Sequence, residues 1–179
     1  MSNKLEKGLV HIYTGDGKGK TTAAIGQGVR SFGGGLKVLM VQFLKGDDTG
    51  ELHSFERLGD GFTLRRFAAL DNFYKFLPED EKLKAKEDAQ RGLSFIREAM
   101  EQQYDLIIMD EIMASITNEM VKLDEVIELV KNKPLNLELI MTGRNAPEEL
   151  IELANYVTEM KLIKHPFQQG IYARKGIES

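Results

Sequence analysis

Short apolar runs alternate with amphipathic stretches along this chain. Runs of apolar, often β-branched residues that are too short for helices predict buried strands. They occupy residues 9–14, 37–43, 105–109, 137–142 and 157–163, with a weaker run at residues 62–67. Elsewhere apolar residues repeat every three to four positions, which predicts helices. The helices are expected at residues 20–32, from Pro78 onwards, around residues 123–130, and after a candidate cap at Asn145.

The alternation of strands and helices predicts an α/β fold, with a mainly parallel sheet that carries helices on both faces. Residues 45–77 are the least regular part of the chain and are rich in Gly, Asp and Phe, so we expect loops there. No repeat or linker interrupts the pattern. We therefore expect residues 1–179 to form a single domain.

Composition narrows the classes of function. Hydrophobic residues make up 42% and charged residues 29% of the 179 residues, which is typical of globular proteins. A net charge of −4 does not favour a general nucleic-acid-binding surface, and the absence of cysteine excludes disulfides and thiolate chemistry. Residues 1–7 lack the apolar core of a signal peptide, and no apolar run reaches membrane-span length. We expect a cytoplasmic protein with neither nucleic acid nor membrane as partner.

The clearest chemical motif lies between the first predicted strand and the first predicted helix. Glycines at such a junction let backbone N–H groups converge on phosphate oxygens, and the helix N-terminus adds positive potential. We expect Lys20 to contact phosphates and the Thr21 hydroxyl to bind Mg²⁺. Thr14 stands where the usual loop has its first glycine, and the alternative interpretation is an ordinary tight turn. The motif comprises Gly15, Asp16, Gly17, Lys18, Gly19, Lys20, Thr21 and Thr22.

Two carboxylates follow the buried strand at residues 105–109. Asp110 and Glu111 lie at the carboxyl edge of the predicted sheet, where α/β folds bind ligands. In a phosphate-loop protein such an acid holds Mg²⁺ directly or through water. The alternative is a solvated acidic turn, and the presence of Lys20 and Thr21 in the loop favours the metal site.

Several further positions allow two interpretations each. Arg30 on the first helix could contact a phosphate or lie in solvent. Arg144, after a strand, could contact a ligand or belong to a loop that caps the next helix, and His165 could bind a ligand or be structural. Apolar side chains in the irregular region form either core or a wall for a flat ligand. These are Phe67, Phe73, Tyr74, Phe76 and Leu77.

Segments spread over nearly the whole chain resemble one known family, the ATP:corrinoid adenosyltransferases of the phosphate-loop type. The loop without its first glycine is itself a feature of that family, and the C-terminal segment is specific. The matching segments are residues 12–22 (IYTGDGKGKTT), 41–46 (VQFLKG), 109–112 (MDEI), 141–145 (MTGRN) and 164–178 (KHPFQQGIYARKGIE).

The resemblance implies a RecA-like phosphate-loop fold, usually in a homodimer. It implies transfer of the 5′-deoxyadenosyl group of ATP to the Co(I) of a reduced corrinoid, with release of triphosphate, in adenosylcobalamin synthesis or salvage. A flavoprotein is a candidate source of the electrons. By position, ATP would be bound by residues 15–22 and Arg30, with Lys20 and Thr21 contacting a triphosphate that lies reversed along the loop.

The metal and corrinoid sites carry over less completely. Thr21 and Glu111 would hold Mg²⁺ with Asp110 supporting, and Lys20, Thr21 and Glu111 would be the catalytic residues. Some members cover the site with a long N-terminal segment and wall the corrinoid with a Phe-x-Trp pair, but here about eight residues precede the first strand and Trp is absent. The expected corrinoid contacts are Phe67, Phe73, Tyr74, Arg144 and His165.

Two other functions fit a phosphate loop. In an ATPase or kinase, Asp16 or Glu111 would orient water or an acceptor hydroxyl. A non-catalytic module would bind nucleotide and corrinoid without forming products. The products separate these hypotheses, because adenosyl transfer releases triphosphate, whereas an ATPase releases ADP and phosphate.

Overall fold

The computed structural model describes residues 5–46, 48–70, 74–102 and 104–177. Within them, six strands form one sheet in which every pairing is parallel, in the order β3-β2-β4-β5-β1-β6. The strands are β1 (Val10–Thr14), β2 (Val38–Phe43), β3 (Phe62–Phe67), β4 (Leu106–Asp110), β5 (Glu138–Thr142) and β6 (Tyr156–Glu159). The predicted parallel sheet is confirmed, and the separation of β1 from β4 by β5 is consistent with a RecA-like fold.

Helices cover both faces of this sheet. One face packs against α1 and α2 through a cluster that includes Ala24, Phe55 and Ile108, and the other packs against α3 to α6 through residues such as Leu93 and Leu150. The helices are α1 (Lys20–Gly33), α2 (Gly50–Leu58), α3 (Glu79–Met100), α4 (Ile112–Thr117), α5 (Leu123–Lys131) and α6 (Glu148–Leu153).

Burial explains why the strands were visible in the sequence. Every residue of β2 and β4 is buried, as expected for central strands of a sheet covered on both sides. All four residues of β6 are exposed, because this strand lies at the edge of the sheet. Among the described residues, no helix combines the length and apolarity needed to cross a bilayer.

Three local expectations were wrong. Residues 45–77 are not all irregular, since α2 lies within them and buries Phe55 against the sheet. The last strand ends at Glu159 instead of residue 163, because its partner strand β1 ends at Thr14, which pairs with Glu159. Asn145 does not cap α6. It has a φ of 54° and lies before Pro147, which occupies the cap position.

Candidate active site

A sharp turn follows each of the strands β1 to β5 at the carboxyl edge of the sheet. The first residue after each of these strands has a positive φ, which a non-glycine residue adopts at a cost of about 1–2 kcal/mol. Such strained backbone clusters at functional sites. The residues are Gly15 (96°), Leu44 (62°), Ala68 (52°), Glu111 (61°) and Gly143 (139°).

The glycine-rich loop wraps around the ammonium group of Lys20. Lys20 Nζ donates hydrogen bonds to the carbonyl oxygens of Gly15 (2.6 Å) and Gly17 (2.8 Å). The loop also packs against the backbone that follows β6, where a Cβ on Gly15 would lie 2.5 Å from the carbonyl oxygen of Met160. The glycines are therefore needed for close backbone packing as well as for the turn.

Burial lowers the pKa of Lys20, and the nearby carboxylates of Glu111 and Asp16 oppose that shift. The cost of burying this ammonium is offset by two carbonyl acceptors and these acids. Phosphate oxygens would offer it the same hydrogen bonds together with full negative charge. The loop thus places the Lys20 ammonium beside the N-terminus of α1, and both would attract a bound anion.

Asp110 is a fully buried carboxylate that joins three elements of the site. Its Oδ1 accepts hydrogen bonds from Thr21 Oγ1 (2.9 Å) on α1 and from Thr142 Oγ1 (2.7 Å) on β5. Its Oδ2 accepts a bond from Gln42 Nε2 (3.1 Å) on β2. Asp110 is therefore directly beside the loop threonine, whereas the family resemblance implied only a supporting role for it.

Glu111 turns the chain from β4 into α4. Its backbone N–H donates to Thr142 Oγ1 (3.0 Å), and its side chain lines the cavity described below. Burial raises the pKa of the Glu111 carboxyl, and the charge of Asp110 raises it further. A cation bound beside this pair of acids would relieve both effects.

The donor chemistry here suits Mg²⁺. Thr21, Asp110 and Glu111 offer hydroxyl and carboxylate oxygens, which are the ligands that hard cations prefer. Among the described residues, no group of three or more His, Cys, Asp or Glu side chains could hold a metal alone. Mg²⁺ is commonly held by one or two carboxylates together with substrate phosphates and water.

A cavity of about 920 Å³ opens over this edge of the sheet. Its volume suits a nucleotide-sized ligand. Most residues of the predicted loop line it, together with Glu111, Arg144, His165 and two apolar residues of each of α1 and α2. The lining residues are Asp16, Gly17, Lys18, Gly19, Lys20, Thr21, Thr22, Ile25, Val29, Lys45, Gly50, Glu51, Ser54, Phe55, Leu58, Glu111, Arg144, His165, Gly176 and Ile177.

Two basic candidates lie at the mouth of this cavity. Arg144 Nε lies 3.6 Å from Asp16 Oδ1, and both side chains are exposed. His165 precedes a short 3₁₀ turn, Pro166–Gln169, and its Nδ1 accepts a bond from the backbone N–H of Phe167. Both residues border the loop from segments distant in sequence.

Other predicted site residues lie away from the cavity. Arg30 is exposed on α1, and its charge opposes the burial that raises the pKa of Tyr13 on β1. Phe67 and Tyr74 pack against the core cluster, and the ring centroid of Phe67 lies 5.7 Å from that of Phe95. Phe73 lies outside the described residues.

A second polar cluster at the cavity was not singled out from the sequence. It joins Gln42 and Lys45 of the VQFLKG segment to Glu51 on α2 and Arg66 on β3. The segment was noted only as part of the family resemblance. A polar Gln inside an otherwise apolar strand was the available signal, because a buried amide requires partners.

Comparisons with known proteins agree with this geometry. The family model for ATP:corrinoid adenosyltransferases BtuR/CobO/CobP matches residues 6–179. A corrinoid adenosyltransferase of Sinorhizobium sp is 36% identical over 179 residues, covering 97% of this chain and 81% of its own length. Those of Escherichia coli (strain K12) and Salmonella typhimurium (strain LT2) are 32% and 31% identical, each covering 97% of this chain and 86% of its own length. The resemblance inferred from the motifs is confirmed, and this chain belongs to the ATP:corrinoid adenosyltransferase family, a family of transferases.

Proposed function

We propose that this chain transfers the 5′-deoxyadenosyl group of ATP to a reduced corrinoid from the cavity at the carboxyl edge of its sheet. The observation that carries the assignment is the presence of Lys20 and Thr21 in the cavity wall, with the buried Asp110 bonded to Thr21. This arrangement joins a phosphate-binding cation to a hydroxyl and a carboxylate suited to Mg²⁺. Residues 15–22 would bind the triphosphate, and the family membership supports this reaction.

The reaction requires alignment more than acid–base chemistry. The Co(I) electron pair attacks the ATP 5′-carbon, a cobalt–carbon bond forms, and the carbon–oxygen bond breaks with its electrons leaving on triphosphate. No proton is transferred, so no general base is required. Lys20 and the loop amides would stabilise charge on the leaving triphosphate, and a fixed site supplies orientation.

Mg²⁺ would be held by Thr21, Asp110 and Glu111 together with the triphosphate. Asp110 already accepts a hydrogen bond from Thr21, and we therefore give it a role equal to that of Glu111. Bound Mg²⁺ would neutralise negative charge on the triphosphate. The raised pKa of Glu111 supports the assignment, because a divalent cation there would favour the ionised carboxyl.

The corrinoid would enter at the mouth of the cavity, beside Arg144 and His165. These residues present polar groups near the loop, and apolar residues such as Ile25 and Phe55 line the same cavity. Phe67 and Tyr74, the other described candidates, have core contacts that favour a structural role. Arg30 would reach ATP only after its side chain reorients from the surface.

The oligomer, the reductant and the compartment are also proposals. Exposed apolar side chains of β6 and the segment after it, such as Val157, Ile163 and Tyr172, suit a homodimer contact. Formation of Co(I) requires an electron donor, for which we propose a reduced flavoprotein. The absence of cysteine is compatible with a reducing cytoplasm.

The test is incubation with ATP, Mg²⁺ and chemically reduced cobalamin, followed by visible spectroscopy for the cobalt–carbon bond. We expect the spectrum of an adenosylated corrinoid, and none when ATP is omitted. Release of ADP and phosphate without that spectrum would instead identify an ordinary phosphate-loop ATPase or kinase.

A further inference from the structure

Lys45 brings a further cation to the cavity from the turn after β2. Leu44, just before it, has a φ of 62° and donates its backbone N–H to the carbonyl of Phe67. This turn directs Lys45 over the edge of the sheet, where it lines the cavity. Its Nζ lies 3.6 Å from Asp110 Oδ2 and 3.6 Å from Glu51 Oε1.

The two acids that face Lys45 are fixed by a buried amide. Gln42 is fully buried, and its Nε2 donates to Glu51 Oε1 (3.0 Å) and to Asp110 Oδ2 (3.1 Å). Its Oε1 accepts a bond from Arg66 Nε (3.0 Å), which fixes the orientation of the amide. The Gln42 amide nitrogen therefore holds both carboxylates in place, while its oxygen is bonded to Arg66.

Lys45 is the member of the cluster that is free to move. Its distances of 3.6 Å are those of an ion pair and exceed hydrogen-bonding range, and about a quarter of its side chain is exposed (26%). A lysine on a flexible stem can exchange partners without moving the backbone. Gln42 and Asp110, in contrast, are wholly enclosed.

A metal ion beside Asp110 would displace this ammonium. A divalent cation bound to the Asp110 carboxylate would repel Lys45 more strongly than a single charge would, and the repulsion is little screened because Asp110 is fully buried. The negative charge that arrives with the metal is the triphosphate, bound to the loop across the same cavity. Lys45 can therefore exchange Asp110 for a phosphate oxygen.

We propose that Lys45 is a triphosphate-binding lysine outside the loop, held by Asp110 and Glu51 in the ligand-free protein and transferred to the leaving triphosphate when metal and nucleotide bind. The inference rests on the proposed function, because it needs a triphosphate on the loop. It adds a charge contact that strengthens as negative charge grows on the leaving group.

Two binding measurements on Lys45→Met test this inference. Calorimetry with inorganic tripolyphosphate and Mg²⁺ should show affinity about tenfold weaker than wild type, the usual effect of losing one charged hydrogen bond. Electron paramagnetic resonance with Mn²⁺ alone should show tighter binding than wild type, since a competing cation has been removed. Lys45→Arg keeps the charge and should retain most of the tripolyphosphate affinity.

The matched control is Lys86→Met on the exposed surface of α3, which removes the same charge far from the cavity and should change neither affinity. Wild-type tripolyphosphate binding in folded Lys45→Met, with binding lost in Lys20→Ala, would overturn the inference and leave the proposed function intact. Normal binding in Lys20→Ala as well would overturn the proposed function. Weaker tripolyphosphate binding with unchanged Mn²⁺ affinity would contradict the exchange of partners.

Discussion

At the scale of single residues, Lys20 shows how the loop is prepared for an anion. Its side chain is buried, and among the described residues its ammonium donates hydrogen bonds to two carbonyl oxygens of its own loop. Those carbonyls are neutral acceptors, and a triphosphate would replace them with charged ones. These contacts therefore favour a role for Lys20 in binding an anion over a role in a stabilising salt bridge.

Replacing Lys20 with Ala should slow adenosyl transfer about 10²–10³-fold, because one preorganised charge contact is worth roughly 3–4 kcal/mol in a transition state. Single-turnover kinetics with preformed Co(I) corrinoid measures this directly. Circular dichroism of the variant serves as the folding control. A folded Lys20→Ala protein that reacts at the wild-type rate would remove the loop from the catalytic account.

Glu111→Gln should stabilise the ligand-free protein at pH 7. Burial, and then Asp110, raise the folded pKa of Glu111 above its ordinary value of 4.5. The folded state then binds the proton more tightly, so stability falls as pH rises from about 4.5 through the folded pKa. The variant escapes this cost, and we expect its Tm at pH 7 to lie above that of the wild type.

The gain should vanish below pH 4, where Glu111 is protonated in both states. The same substitution should raise the Mg²⁺ concentration needed for half-maximal activity, because one hard-oxygen charge is lost. A lower Tm at pH 7 or an unchanged Mg²⁺ titration would mean that Glu111 is a turn residue only. Thermal melts at both pH values and a metal titration decide between these results.

At the scale of elements, two of the three glycines of α1 have opposite surroundings. A Cβ on Gly26 would meet no atom within 4 Å, whereas a Cβ on Gly28 would lie 2.8 Å from the ring of Phe62. Phe62 cannot easily yield, because it stacks on Phe55 at a centroid distance of 4.1 Å. Replacing glycine with alanine in this helix should therefore raise the free energy of unfolding at one position and lower it at the other.

We expect Gly26→Ala to raise the free energy of unfolding by about 0.5–1 kcal/mol, the usual helix-propensity gain. Gly28→Ala should lower it by about 1–3 kcal/mol through overpacking. Urea denaturation of the two variants measures both. Equal stabilisation by both substitutions would show that α1 does not pack on the sheet as described.

Periodicity predicted the elements that bury a regular face. The apolar runs of β2 and β4 were visible because every residue of these strands is buried. The stripe of α3 was visible because each of its turns from Ala85 onwards buries a residue in the core. The helix α2 was missed because most of its residues are polar, and they obscure the helical spacing of Leu52, Phe55 and Leu58. Its existence depends on packing against the sheet, which a local pattern does not contain.

Motifs predicted the loop and its acids, while contacts across the sheet edge were not predictable. Asp110 accepts hydrogen bonds from Thr21 and Thr142 because β5 lies between β1 and β4. A local sequence pattern does not predict this order of strands. Lys45 was likewise overlooked, because its partner Glu51 lies on the unpredicted helix. The chemical role of single residues could thus be predicted from the sequence, but the contacts between them could not.

At the scale of the whole molecule, one edge of the sheet is unusually apolar at its surface. Val157, Ile163 and Tyr172 are exposed on β6 and the segment that follows it, where most side chains are exposed. The segment also contributes His165 and Ile177 to the cavity. A second copy of the chain covering this edge would bury the apolar side chains and steady that wall.

Sedimentation equilibrium should find a dimer for the unmodified chain and a weaker one for the double variant Val157→Glu, Ile163→Glu. Two buried charges without partners would oppose association. Leu135→Glu, at an equally exposed leucine in the turn before β5, is the matched control and should leave the dimer unchanged. Equal association of all three proteins would exclude this edge as the interface.

The central claim is that the cavity couples loss of triphosphate to formation of a cobalt–carbon bond. The most direct measurement is a reaction with limiting ATP and excess Co(I) corrinoid, in which phosphorus NMR and visible absorption are recorded on the same sample. We expect intact triphosphate and adenosylated corrinoid in equal amounts, with both products formed about 10²–10³-fold more slowly in Lys20→Ala. ADP and phosphate in place of triphosphate, or triphosphate without a cobalt–carbon bond, would contradict it.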